Sequence, residues 1–175
     1  MGHIFLTGYR CTGKTSVGRK LASDRNLPFY DTDTQLVNRT GKTIQEWVEE
    51  KGWASFRLAE KSVIQEISSW TDGVVALGGG AVLDLDNREI IKKNGVIVWL
   101  TADVTTILER MKADPKNKDQ RPPLSERDWE TETRETLAVR TPVYQALADL
   151  QIDTEGKTVE DIVVEIETKM RLQRS

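Results

Sequence analysis

A chain of 175 residues, 38% hydrophobic and 30% charged, is long enough for one domain with a proper core and too ordinary in composition for a disordered or fibrous protein. Its net charge of −3 gives no broad electrostatic case for nucleic acid. The one cysteine, Cys11, rules out an internal disulfide and points to a reducing compartment, and no apolar run approaches the roughly 20 residues that span a bilayer. No signal peptide is expected, because the first strand begins almost at Met1. Leu6 stands where a myristoylation signal needs Ser or Thr. Asn38-Arg39-Thr40 is a glycosylation sequon only by coincidence in a cytosolic chain.

In chain order, the apolar run Ile4–Thr7 reads as a buried strand. Gly8-Tyr9-Arg10-Cys11-Thr12-Gly13-Lys14-Thr15 follows and fits G-x-x-x-x-G-K-[ST]; a helix over about Thr15–Arg25 comes next, with Val17, Leu21 and Ala22 on one face. Strand, glycine loop and helix N-terminus together set backbone N–H groups around a phosphate. Lys14 supplies a point charge for the β- and γ-phosphates, and the Thr15 hydroxyl a ligand for Mg²⁺. ATP or GTP binding follows from this segment.

A second strand, Pro28–Tyr30, runs into Asp31-Thr32-Asp33. If it neighbours the first strand, Asp31 faces the loop, and in extended chain the two carboxylates share one side. One could hold a metal-bound water and the other accept a hydroxyl; a turn with a helix cap accounts for the same residues. Helices are expected over about Thr34–Arg39, Ile44–Lys51 and Ala54–Trp70, with Thr43 and Glu46 as a capping box. A third strand, Val74–Leu77, ends in Gly78-Gly79-Gly80, which is either a flexible turn or a place where backbone approaches a ligand.

Beyond this lie a helix over about Asn87–Lys93, a strand Val96–Leu100 that is apolar on both faces, and a helix over about Val104–Lys112. The segment 112–128 is polar and carries three prolines. It reads as a mobile lid or as a solvated loop, two readings with the same composition. A helix over about Trp129–Arg140 should stop or kink at Pro142. A last strand, Leu150–Ile152, and a helix over about Val159–Arg171, capped by Thr158 and Asp161, complete an alternation of β and α. The pattern predicts an α/β fold, a parallel sheet with helices on both faces. Arg57, Arg121 and Arg140 suit carboxylate or phosphate, but any one such arginine is more often a solvated surface charge.

Taken in order, the Gly13-Lys14-Thr15 loop, Asp31-x-Asp33, Phe56-Arg57-x-x-Glu60, Gly78-Gly79-Gly80, Arg121-Pro122 and Arg140-x-Pro142-x-Tyr144 resemble the shikimate kinase family. The resemblance covers nearly the whole chain. It implies a three-layer P-loop kinase fold with a five-stranded parallel sheet and a mobile lid, in a single domain over 1–175. Within that domain it implies a substrate-binding helical segment at about 34–60 and a lid at about 112–128. It also implies transfer of the ATP γ-phosphoryl group to the shikimate 3-hydroxyl, a step of aromatic amino-acid biosynthesis, by a cytoplasmic monomer that uses Mg²⁺ and binds neither nucleic acid nor membrane.

By position, the resemblance makes Lys14, Asp33 and Arg121 catalytic. Cys11, Thr12, Gly13, Lys14, Thr15, Ser16, Arg110 and Arg121 become nucleotide-binding residues. Asp33, Arg57, Gly78, Gly79, Gly80 and Arg140 bind shikimate, and Thr15 and Asp31 serve the metal. Glu60 would orient Arg57, and the loop 153–158 would flank the adenine with Arg110. Two departures stand out: Cys11 where the family usually has glycine, which places a thiol beside the phosphates, and Pro123 where it is often aliphatic. Two other readings use the same residues: a nucleotide-binding module without kinase activity, and a P-loop kinase for another small hydroxylated acid.

Overall fold

In the computed structural model, which describes residues 2–114 and 126–173, five strands form one parallel sheet in the order β2-β3-β1-β4-β5. They are β1 (His3–Thr7), β2 (Phe29–Asp31), β3 (Val74–Ala76), β4 (Gly95–Thr101) and β5 (Leu150–Asp153). Seven α-helices are described: α1 (Lys14–Asp24), α2 (Thr32–Thr40), α3 (Ile44–Ser68), α4 (Leu85–Asn94), α5 (Val104–Ala113), α6 (Glu126–Leu147) and α7 (Val159–Leu172). Arg121, Pro123 and the middle of the predicted lid lie outside the described residues.

Strand parity divides the core. Phe5, Val75, Ile97 and Trp99 point to one face, where they meet Phe56, Val63 and Ile64 of α3, Ile91 of α4, and Tyr144 and Leu147 of α6. Ile4, Leu6, Val98 and Leu100 point to the other, against Val17 and Leu21 of α1 and Ile162, Ile166 and Met170 of α7. The central strands are buried on both faces, which is why β1 and β4 read as unbroken apolar runs. Each fully buried aliphatic side chain contributes about 1.5–3 kcal/mol of hydrophobic free energy. After β1 the chain passes to one face and after β3 to the other. The carboxyl ends of these neighbouring strands are therefore the switch point where an open α/β sheet takes its ligand.

The structure corrects three expectations. β2 pairs with β3, not with β1, so β3 separates Asp31 from the first strand. Asp31 and Asp33 do not share one side of an extended chain: Asp31 caps α2 and Asp33 lies in its first turn. And α6 does not stop at Arg140 but runs through Pro142 to Leu147. Proline there removes one helical hydrogen bond, but Ala138, whose carbonyl it frees, is exposed to water, and continuing the helix buries Tyr144 and Leu147 in the core.

Other local signals hold. Both capping boxes form, at Thr43 with Glu46 and at Thr158 with Asp161. The expected break between Lys51 and Ala54 is a kink in α3 at Gly52, whose φ of 78° and ψ of 166° suit only glycine.

Candidate active site

At the carboxyl ends of β1, β2 and β3 lies a cleft of about 700 Å³. The phosphate loop forms one wall. Lys14 donates to the carbonyls of Gly8 at 2.8 Å and Tyr9 at 2.7 Å, which leaves its third N–H unspent among the described residues. Burial pulls its pKa down to about 8, against the opposing pull of Asp33 and Asp31. The Thr12 hydroxyl is spent inside the loop on the Tyr9 carbonyl, so Thr12 has only backbone to offer a ligand. Cys11, Gly13, Thr15 and Ser16 line the cleft. Cys11 adopts a positive φ of 59°, the left-handed region that a side chain disfavours.

Asp31 has two tasks at once. Its Oδ1 accepts from Thr34 N–H at 3.0 Å and caps α2, while its Oδ2 accepts from the Thr15 hydroxyl at 3.0 Å. Cap and metal site were alternatives in the sequence; one carboxylate can serve as both. A hydroxyl beside a carboxylate is a hard oxygen pair that fits Mg²⁺, an ion that keeps most of its waters. Among the described residues no three His, Cys, Asp or Glu side chains gather into a metal site. A cation here would complete its shell from phosphate and water.

Gly78, Gly79 and Gly80 form the floor. A Cβ on Gly78 would lie 2.7 Å from Glu60 Oε1 and 2.8 Å from Asp33 Oδ1. One on Gly79 would lie 3.2 Å from Arg140 Nη1, and one on Gly80 would lie 2.8 Å from Arg57 Cζ. The run is glycine because side chains from α2, α3 and α6 converge on its backbone. This is also how the structure brings Asp33, Arg57 and Arg140 together. Arg57 Nη1 donates to Glu60 Oε2 at 2.6 Å, and Glu60 is only 2% exposed, so a buried carboxylate fixes the more exposed guanidinium. Burial raises the Glu60 pKa although Arg57 opposes it. Asp33 is pushed up to about 6, first by burial and then by Asp31 and Glu60, with Lys14 and Arg57 pulling the other way.

Arg110 stands apart from this cleft. It donates to the Thr154 hydroxyl at 2.9 Å, the Thr154 carbonyl at 3.0 Å and the Cys11 carbonyl at 3.2 Å, and so ties the loop after β5 to the phosphate loop. Two contributors went unassigned in the sequence. Tyr144 is fully buried and donates to the Gly79 carbonyl at 2.5 Å; its position in Arg140-x-Pro142-x-Tyr144, one helical turn beyond Arg140, was the available signal. Tyr9 is buried beneath two guanidinium groups, those of Arg10 and Arg140.

Comparison with known proteins points to one family. A family model described as shikimate kinase matches residues 10–171. A shikimate kinase of Syntrophus aciditrophicus is 42% identical over 98% of this chain and 92% of its own length, and shikimate kinase 2 of an Enterobacter species is 38% identical over 97% and 95%. Among solved structures, shikimate kinase from Acinetobacter baumannii in complex with shikimate superposes with a TM-score of 0.91 at 32% identity, covering 99% of this chain and 94% of that one. A gluconokinase of Sinorhizobium meliloti, at 18% identity and a TM-score of 0.64, shares the fold.

Proposed function

The chain belongs to the shikimate kinase family, and on that premise we propose that it moves the γ-phosphoryl group of ATP to the 3-hydroxyl of shikimate, giving shikimate 3-phosphate and ADP. One observation carries the reading: the phosphate loop and the Asp33, Arg57, Arg140 and Gly78–Gly80 constellation line one cleft. Its volume of about 700 Å³ is within the usual range for small-molecule sites.

Phosphoryl transfer asks a protein mainly for positioning and for charge neutralisation at a loose transition state. In this reading the N–H groups of the loop and Lys14 hold the β- and γ-phosphates. Thr15, and Asp31 through water, would hold Mg²⁺, which would supply positive charge to offset that of the phosphates. Arg57, fixed by Glu60, and Arg140 grip the shikimate carboxylate and set the ring. They act far from the reacting oxygen, so their binding energy orients the acceptor. Asp33 accepts the hydrogen bond of the attacking hydroxyl and is the residue closest to a general-base role. Gly79 offers backbone N–H to another substrate hydroxyl. Arg110 and the loop after β5 border the adenine. The family resemblance also gives Arg121, which lies outside the described residues, the part of a cation at the transferring group.

The same reading makes the chain a cytoplasmic monomer with no nucleic-acid or membrane partner. No described helix is long and apolar enough to cross a membrane. Retention of Asp33, Arg57 and Arg140 argues against a binding module without catalysis. A coupled assay of ADP release across shikimate, quinate and gluconate tests the proposal. Release with shikimate supports it. Release with a different acid alone moves the chain to another substrate, and nucleotide binding without release to any of them removes the kinase reading.

A further inference from the structure

We propose that Arg10 is an acceptor-specificity residue, its guanidinium taking the acidic group of the phosphoryl acceptor together with Arg140. The proposal rests on the acceptor reading above and deepens it. Arg10 sits inside the phosphate loop and lines the cleft. Its Nε and Nη2 are buried and have no hydrogen-bond partner among the described residues. Donors of a cation cut off from water and left unmatched are costly unless an anion arrives to use them. The neighbouring arginines are already engaged: Arg57 by Glu60, and Arg140 by the Tyr144 hydroxyl.

Position narrows the ligand to the acceptor. Arg10 Cζ lies 5.7 Å from the centre of the Tyr9 ring and Arg140 Cζ 5.8 Å from the same centre, so two guanidinium groups are anchored on one buried aromatic, and both residues line one cleft. Arg140, the guanidinium that shares the Tyr9 ring with Arg10, is also the one that approaches the glycine floor of the cleft at Gly79. The cleft lining carries five carboxylates against four cations, Arg10 among them. An acid entering that field needs more positive charge than Arg57, already half answered by Glu60, can give. A planar fork with free donors suits a carboxylate.

Arg10→Met keeps an unbranched stem and removes the donors. It is expected to raise KM for shikimate about tenfold, the loss of one charge-assisted hydrogen bond, while KM for ATP stays within about twofold. The preference for shikimate over its carboxamide analogue should fall by the same about tenfold factor, a change that loosened packing alone would not produce. Arg10→Lys, which keeps the charge without the fork, should give an intermediate KM and serves if the Met variant fails to bind nucleotide. An unchanged shikimate KM with an unchanged acid-to-amide preference, or a loss confined to ATP, overturns the assignment. A wild-type chain that phosphorylates no acid overturns the acceptor reading, and this proposal with it. A working wild type matched by Arg10→Met overturns this proposal alone.

Discussion

The Tyr144 hydroxyl donates to the Gly79 carbonyl at 2.5 Å from a side chain with no exposed surface. It pins the middle of the glycine run from beneath, one helical turn from Arg140, and its own ionisation is pushed up to about 12, chiefly by burial. Tyr144→Phe keeps the packing and leaves the carbonyl short of a donor, at a cost of about 1–3 kcal/mol. Urea denaturation should register that loss. Steady-state kinetics should show a several-fold higher KM for shikimate with KM for ATP unchanged.

Activity should depend on pH through two coupled groups. Asp33, held at about 6, must be ionised to accept the hydroxyl proton, and Lys14, held at about 8, must be protonated to face phosphate. The free-enzyme profile of kcat/KM for shikimate is therefore expected to rise through about pH 6 and fall through about pH 8. A profile flat between pH 5 and 7 would contradict the assignment of Asp33.

Asp33 also carries a stability cost with a definite sign. Its folded pKa of about 6 exceeds the ordinary 3.8, so folding favours the protonated carboxyl. No cost is felt below about pH 4. It grows as pH rises from about 4 to about 6 and is constant above. Asp33→Asn should thus be more stable than wild type by about 1–3 kcal/mol at pH 7.5 and no more stable at pH 4, while shikimate turnover falls at least about 100-fold. Denaturant melts at the two pH values check this; a difference independent of pH would be evidence against a destabilising charge at this site.

Cys11 is half-buried, lines the cleft beside Lys14 and holds its left-handed backbone in the centre of the phosphate loop. Bound nucleotide should shield it. Alkylation by iodoacetamide is expected to slow at least about tenfold with saturating ATP and Mg²⁺, since a group under the phosphates is closed to reagent. Equal rates with and without ATP would remove Cys11 from the phosphate site.

What the sequence disclosed, and what it hid, follows from how local each feature is. The loop from Gly8 to Thr15 was legible because strand, turn and helix N-terminus are contiguous. The break at Gly52 and both capping boxes were legible for the same reason. Strand order was not: nothing local says that Val74–Ala76 inserts between Phe29–Asp31 and His3–Thr7. Nor does sequence show that Arg57 on α3 and Arg140 on α6 meet over the glycine run. That needs the packing of two distant helices on one sheet face. The helix through Pro142 was misread because a local propensity lost to the burial of Tyr144 and Leu147. Asp31 was legible as a cap, and only the geometry shows its second oxygen on the Thr15 hydroxyl.

The most direct test of the account is a crystal structure of the chain with ADP, Mg²⁺ and shikimate. The expected result sets the ring acid in this cleft, its carboxylate within hydrogen-bond reach of Arg57 and Arg140, and a ring hydroxyl at Asp33 facing the nucleotide held by Lys14. Shikimate bound away from Asp33, or turned so that its carboxylate faces Lys14, would contradict it.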